Sequence, residues 1–401
     1  MSYFNEIQVG ATDSPSVDAY GRWRTVSPYA IFDNKQLYDA GPIVWSTLIT
    51  GNATSSFSQK DACTFLYASQ GGSVIRQTKK RNIYQPGKSH MVLHTTNFSG
   101  SYTGCIKRSG LFDSGNGMYF VASGSSFGVG LRTSTSGIPV DTFISQSDWN
   151  LDKFDGTGIS GRTLNLNSSQ IFFKDFEWLG TGRVRYGIYQ DGTPFYVHQI
   201  INTNTVNTVY ISTPNLPIRH EIYNYGPTRQ SMVNICSTVI SEGGAENNGN
   251  IRSISNTEAI GLTAGNEYGI IALRLKPTSI DSNVVPIHAS IATTATNTAY
   301  EVNFLINPSG SLPWVWQDMP YSNMQYATAS SNAYKIANEG IKIFNKVGSA
   351  QNSSLEILPD AQQGIGIGAD INGTPDILVL GVKDIIGNMN SVIGTITWRE
   401  S

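Results

Sequence analysis

Short runs in which apolar and polar residues alternate recur along most of this chain, and this period of two constrains its fold more than any other feature. VRYGIY (184–189) places Val184, Tyr186 and Ile188 on one face, and AYEVNFLIN (299–307) does the same for Tyr300, Val302, Phe304 and Ile306. IIALRLKP (270–277) sets Ile271, Leu273 and Leu275 opposite Arg274 and Lys276. VIGTITWRE (392–400) sets Val392, Ile396 and Trp398 opposite Thr395, Thr397 and Arg399. Side chains alternate across a strand, so such runs predict sheets with one face buried. Between them lie DSGNG (113–117), QDGTP (190–194), NPSG (307–310) and INGTP (371–375), whose Asn-Gly and Asp-Gly pairs supply the positive φ angles of tight turns. The best helical candidate, NAYKIANEGIKIFN (332–345), carries Asn-Glu-Gly at its centre and reads as two strands joined by a turn.

A chain of 401 residues exceeds one ordinary core. The stretch SEGGAENNGN (241–250) is Gly/Asn-rich with Ala245 its only apolar residue, and marks a boundary. The expected architecture is all-β: an extended N-terminal arm over 1–40, a jelly-roll-like β-sandwich over 41–242, a linker over 243–250, and a second sandwich over 251–401. No short-period repeat argues for a solenoid or propeller.

Charged residues are only 14% of the chain, against about a quarter in an ordinary soluble protein. Polar surface therefore falls to Ser, Thr, Asn and Gly, as suits a β protein packed among neighbours, where a buried charge needs a partner. A net charge of −2 speaks against general binding to nucleic acid or to a membrane surface. Cys63, Cys105 and Cys236 are widely spaced with no CxxC, which predicts buried thiols of a protein made in a reducing cytosol, a single disulfide plus one free thiol being the alternative. MSYFNEIQVGATDSPS has neither the basic nor the apolar region of a secretory leader, and no stretch approaches the ~20 apolar residues of a membrane span. The Asn-x-Ser/Thr triplets at Asn52, Asn97, Asn167 and Asn352 carry little meaning without a secretory route.

Motifs that could carry chemistry are weak. GTGISG (156–161) has the glycine spacing of a dinucleotide fingerprint but sits between a loop and a strand, without the helix whose N-terminus would hold pyrophosphate. QGIGIGAD (363–370) reads likewise as a turn region. His220-Glu221 opens like a zinc-protease motif, but its fifth position is Asn224. His90 and His94 share a strand face yet stand ~13 Å apart, too far to share a metal. The strongest enzymatic pattern is KDFEWLG (174–180): on a strand, Asp175 and Glu177 would share one face ~6.5 Å apart, near a retaining glycosidase's spacing. Laminarinase-like jelly rolls carry three acids there as E-x-D-x-x-E; this chain has two in another order. No nucleophile motif appears, and no cofactor or metal is implied.

Contact residues are better supported. Trp23, Tyr29 and Phe32 are aromatics on a polar, Pro-broken arm, flanked by Arg22 and Arg24, with Trp45 just beyond. Such residues suit an interface. Arg76, Lys79, Lys80, Arg81 and Lys88 form the densest charge of the chain. They read as a basic hairpin, either merely solvated or docking an acidic neighbour; nucleic acid is disfavoured because Tyr84 is the only interleaved aromatic.

DAYGRWRTVSPYAIFDNKQLYD (18–39) and RQTKKRNIYQPGKSH (76–90) together resemble a family of virion structural proteins of tailed phages and large double-stranded DNA viruses. SGLFDSGNGMYFVASG (109–124), the block from Trp149 to Ile188, ALRLKP (272–277), NFLINPSG (303–310), GADINGTPDILVLGVK (368–383) and ITWRE (396–400) extend the likeness over nearly the whole chain. The resemblance implies a non-enzymatic minor capsid, decoration, fibre or tail-associated protein. It would be made in the host cytoplasm and carried in the virion, and it would contact other virion proteins and its own copies, with a trimer as the expected assembly. Two other readings stay open. One is a glycan- or receptor-binding fibre that uses Trp314 and Trp316 of PWVWQD (313–318); the other is a concanavalin-like glycan-cleaving enzyme that uses Asp175 and Glu177.

Overall fold

A computed structural model describes residues 16–25, 27–244, 249–293, 299–311, 313–330, 334–349, 367–386 and 391–401, and the backbone of 352–356. The fold is all-β, and among the described residues the only helix is one 3-10 turn at Gln146–Asp148. The chain divides into two compact units, residues 1–246 and 247–401.

The first unit contains β1 (Tyr29–Lys35), β2 (Trp45–Thr50), β3 (Ala53–Ser58), β4 (Cys63–Ala68), β5 (Gly72–Thr78), β6 (Ser89–Asn97), β7 (Cys105–Phe112) and β8 (Gly117–Ser123). It continues through β9 (Ser126–Thr133), β10 (Val140–Ser145), β11 (Gln170–Phe176), β12 (Val184–Gln190), β13 (Thr193–Ile200), β14 (Ile218–Asn224) and β15 (Gln230–Glu242). An eight-stranded sheet runs β13-β12-β11-β6-β15-β4-β3, with β1 also on β15; a seven-stranded sheet runs β10-β9-β8-β7-β14-β5-β2. The two form a sandwich whose core draws Val92, Phe172, Phe176, Tyr186 and Val239 from the first sheet and Val74, Leu111, Phe120, Val129 and Ile222 from the second. Val184, Tyr186 and Ile188 face this core, as their alternation requires.

The second unit contains β16 (Asn250–Ser255), β17 (Glu267–Leu275), β18 (Val284–Thr293), β19 (Tyr300–Ile306), β20 (Ser309–Gly310) and β21 (Gln317–Asp318). β22 (Met324–Thr328), β23 (Tyr334–Asn338), β24 (Ile341–Gly348), β25 (Asn352–Glu356), β26 (Leu378–Asp384) and β27 (Val392–Glu400) follow. Its four-stranded sheet, β16-β27-β18-β25, packs on an eight-stranded one whose main path is β20-β23-β17-β26-β19-β24. Val302, Phe304, Leu273, Ile396 and Trp398 fill the space between. A bulge between Gly269 and Ile271 turns both Ile270 and Ile271 inward, which strict alternation forbids. Residues 334–338 and 341–348 are indeed two strands, but they pair with different partners, β23 with β17 and β24 with β19, and do not form a hairpin.

Within the segment expected as an extended arm over 1–40, Tyr29–Lys35 is a sheet strand on β15, and a bulge between Ala30 and Phe32 lets the adjacent Ile31 and Phe32 both pack on the core. One expectation needs correction: residues 76–90 are not a hairpin. β5 belongs to the seven-stranded sheet and β6 to the eight-stranded one, so the basic segment crosses between sheets.

Candidate functional site

The segment 16–25 is seated on the outward face of the eight-stranded sheet. Along β11, Phe172, Lys174 and Phe176 point into the sandwich, so Phe173 and Asp175 point out, beside Met91 of β6 and Tyr196 of β13. Asp175 is the hub. Arg185 Nε donates to its Oδ1 at 2.8 Å, Arg24 Nη2 to its Oδ2 at 2.7 Å, and the Tyr196 hydroxyl also donates to Oδ2. Burial works against a charged Arg185, and the Asp175 carboxylate, with Tyr196 and Glu242, more than reverses this, raising its pKa. Burial, reinforced by Asp175, likewise raises the Tyr196 pKa and keeps its proton in place.

The arm's backbone is held by Arg185 of β12, by Arg183 just before it and by the arm's own Arg24. Val17 O accepts from Arg185 Nη2 at 2.9 Å and from Arg24 Nε at 3.0 Å; Ala19 O accepts from Arg183 Nε at 2.7 Å. Asp18 folds the loop on itself by accepting from the Tyr20 and Arg22 amides, and Gly21, at φ +77°, supplies the left-handed residue of the turn. Trp23 pairs back with Val17 yet leaves its side chain 56% exposed. Arg22, Trp23, Arg24, Lys88, Met91 and Glu242 line a cavity of about 530 Å³. Arg24 Nη1 lies 2.6 Å from Glu242 Oε1, but burial still pushes the Glu242 pKa up to about 7.

Of the expected contact residues, only Arg22, Trp23, Arg24 and Lys88 meet at this cavity. Trp45, expected as an exposed anchor, is 3% exposed; its indole donates to Asn34 Oδ1 at 2.8 Å and Phe32 meets it edge-on at 6.4 Å. Its place on β2, packed on the sandwich, explains this. Tyr29 and Phe32 are half-buried in β1. Arg76, expected in a docking patch, points inward beside Val74, stacks on Trp45 at 4.7 Å and donates to Ala40 O and Gln36 Oε1. Arg81 pairs with Asp113 at 2.6 Å, and Lys79 and Lys80 are half-buried on the crossover, where burial lowers the Lys80 pKa to about 8. A ring of solvated cations is therefore not what this segment presents.

Asp175 and Glu177 do not form an open pair. β11 ends at Phe176, and Glu177 is held locally, its Oε1 accepting from the Arg183 amide at 3.2 Å. Burial raises its pKa. In the second unit, Trp314 stacks on Tyr334 at 4.2 Å and Arg274 caps Trp316 at 4.2 Å, so each ring already has a partner. Among the described residues no three His, Cys, Asp or Glu side chains are placed to hold a metal ion.

Sequence reasoning missed a polar chain inside the first sandwich. Lys174 Nζ meets His94 Nε2 at 2.7 Å; Ser109 Oγ lies 2.9 Å from His94 Nδ1 and 2.8 Å from His220 Nδ1; Asn234 Nδ2 meets His220 Nε2 at 2.9 Å. Asn234 Oδ1 accepts from Gln36 Nε2 at 2.6 Å, which turns its amide nitrogen toward His220. One set of directions satisfies every member: both imidazoles donate from Nδ1 to Ser109, which donates to Thr96 Oγ1 at 3.0 Å. Burial, then the neighbouring cations, lowers the pKa of His94 well below its usual value and that of His220 to about 3. The only sequence signal was polar residues at inward positions of alternating strands.

A second unforeseen layer covers the outer face of the seven-stranded sheet. Arg108 and Arg219 hold Glu221 at 2.7 and 2.8 Å, Arg132 holds Asp141 at 2.6 Å, and the guanidiniums of Arg132 and Arg219 lie over the buried Phe112 ring. Glu221 is enclosed in this layer while Asp141 stays exposed at its edge, and the arginine guanidiniums rest over aromatic rings.

No family model and no curated protein matches the chain. Solved structures similar to it include a glycosyl hydrolase family protein from Mycobacterium fortuitum, with 10% identity and a TM-score of 0.36, over 52% of this chain and 99% of that one. A protein of unknown function from Shewanella oneidensis MR-1 has 12% identity and a TM-score of 0.33 over 56% and 90%. A legume lectin-like domain from Entamoeba histolytica has 7% identity and a TM-score of 0.32 over 53% and 98%. Likeness at this level bears on neither activity nor ligand.

Proposed function

We propose that this chain is a non-enzymatic structural component of a virus particle, of the minor capsid, decoration, fibre or tail-associated kind, acting through contacts between subunits. The observation that carries the reading is Trp23: an exposed indole that lines a 530 Å³ cavity and is paired to Val17, whose carbonyl Arg185 of the sheet holds. A rigidly presented aromatic beside a pocket is what an interface anchor requires, because little conformational entropy is lost on contact. The segment bearing it, DAYGRWR, is also the most distinctive part of the resemblance to virion proteins. Engagement of the Asp175 oxygens by two guanidiniums and a phenol supports a role in holding the arm over a role in glycan cleavage. Repetition of one contact around a symmetric assembly, with a trimer as the expected unit, would multiply a modest affinity.

Quantitative mass spectrometry of purified particles tests this. A copy number in simple ratio to the major capsid protein is the expected result, and absence from clean particles would overturn the reading.

A further inference from the structure

We propose that the groove between the turn Gly100–Tyr102 and the loop 163–167 is a binding site for neutral carbohydrate. Gly100, Ser101, Tyr102, Thr163, Asn165 and Asn167, with Leu164 and Leu166, line an open groove of about 510 Å³ in the first unit. None of these eight residues carries a formal charge. Both walls are built before any ligand arrives. Lys107, itself buried, donates to the carbonyls of Phe98 at 2.7 Å, Ser99 at 3.3 Å and Gly100 at 3.1 Å, fixing one turn from within. Gly100, at φ +78°, brings the backbone so close under Tyr102 that a Cβ there would lie 2.7 Å from the ring. Tyr102 thus rests on the turn and is 46% exposed.

The facing wall alternates. Leu164 and Leu166 pack on the sandwich core and leave Thr163, Asn165 and Asn167 exposed, with Asn165 opening a turn closed by Ser168 N to Asn165 O at 3.2 Å. The segment is pinned at Leu164 N to Phe154 O (2.9 Å), Gly100 N to Leu166 O (3.2 Å) and Asn97 Nδ2 to Asn167 O (3.1 Å). Asn165 is internally bonded to Ser168 and Asn167, so Thr163 and Asn167 are the outward polar contacts. The one cation beside the aromatic wall, Lys107 Nζ at 5.3 Å from the Tyr102 ring centre, is spent on three carbonyls, so an aromatic ring opposite amide and hydroxyl groups matches a ligand whose surface is part C–H and part hydroxyl. It does not match a phosphate, a nucleic acid or an acidic peptide, each of which needs cations. The inference does not depend on the virion reading.

The experiment is binding of the full chain to a printed array of neutral hexose and N-acetylhexosamine oligosaccharides alongside acidic, sialylated and uronic-acid ones, with hits quantified by calorimetry. Retention of at least one neutral glycan is expected. Tyr102→Ala should weaken it by about tenfold or more, as for removal of a central aromatic contact, and Thr163→Arg should block the groove, while Tyr102→Phe and Trp23→Ala bind as the parent does. Melting temperatures of all variants separate lost binding from lost folding. No retained neutral glycan, retention of acidic glycans only, or binding indifferent to both Tyr102→Ala and Thr163→Arg would each overturn the proposal.

Discussion

Arg24 Nη2 lies 2.7 Å from Asp175 Oδ2, joining positions 151 apart in the sequence. Asp175 also neutralises the buried Arg185. Asp175→Ala takes the bidentate carboxylate from that guanidinium and should cost about 3–5 kcal/mol, the usual consequence of breaking a buried ion pair from one side. Arg24→Ala should cost less, since Arg185 still holds Asp175, and its signature should be local: faster hydrogen exchange at Val17–Arg22 with the sheet strands unchanged. Urea titration and exchange mass spectrometry of the two variants check this. Equal, global destabilisation would contradict it.

Trp23 and Trp45 should behave oppositely. Trp45→Ala empties a core site and should lower stability by about 3–5 kcal/mol. Trp23→Ala should leave the melting temperature of the isolated chain within a degree or two and reduce its incorporation into particles. A Trp23→Ala chain that melts early but assembles normally would remove the anchor role.

Stability should fall on acidification below pH 6.5. His90 and His220, with pKa near 3, and His94, well below 6.5, stay neutral in the fold while their unfolded counterparts bind protons. The unfolded state then holds more protons, so each histidine contributes a loss of up to about 1.4 kcal/mol per pH unit from 6.5 down to its folded pKa. Glu242 acts in the other direction: its pKa is raised to about 7, so between pH 7 and its unfolded value acidification favours the fold. His198, lowered to about 4, adds to the loss, Glu177 and Glu267, both raised, add to the gain, and the four histidines outweigh the three carboxyls. Urea midpoints at pH 7 and pH 5 measure the balance, and a chain more stable at pH 5 would refute it.

Ser109→Ala should cost more than an ordinary hydroxyl deletion. The Ser109 oxygen faces both imidazoles and Thr96 inside the core, so its removal strands several polar groups at about 1–3 kcal/mol each. Chemical denaturation measures the total, and a cost under about 1 kcal/mol would show that the chain rearranges around the gap.

The strands were legible because alternation is local: Val302, Phe304, Ile396 and Trp398 all face the core that their spacing demands. The cradle was not, because what decides it is which distant strand lies underneath. Arg22, Trp23 and Arg24 stand out by residue type alone, but nothing near Arg24 in sequence announces Asp175. Arg76 was misread because its cluster of cations masked its register; counted from Val74 by twos, it falls on the inward face of β5. The Tyr102 groove was illegible too, since its two walls come from segments more than sixty residues apart that meet through Gly100 N and Leu166 O.

The cradle also imposes an order in time. Residues 16–25 leave the ribosome early, but Asp175 and Glu242, which clasp Arg24, are synthesised long after. At about 5–20 residues per second, the arm waits on the order of ten seconds or more before its own seat is complete. During that interval it is an unclaimed strand-and-tryptophan segment, free to be taken up by the finished sheet of a neighbouring chain. Nascent chains stalled before residue 242 should therefore be cut by protease within the arm, and chains released past it should resist.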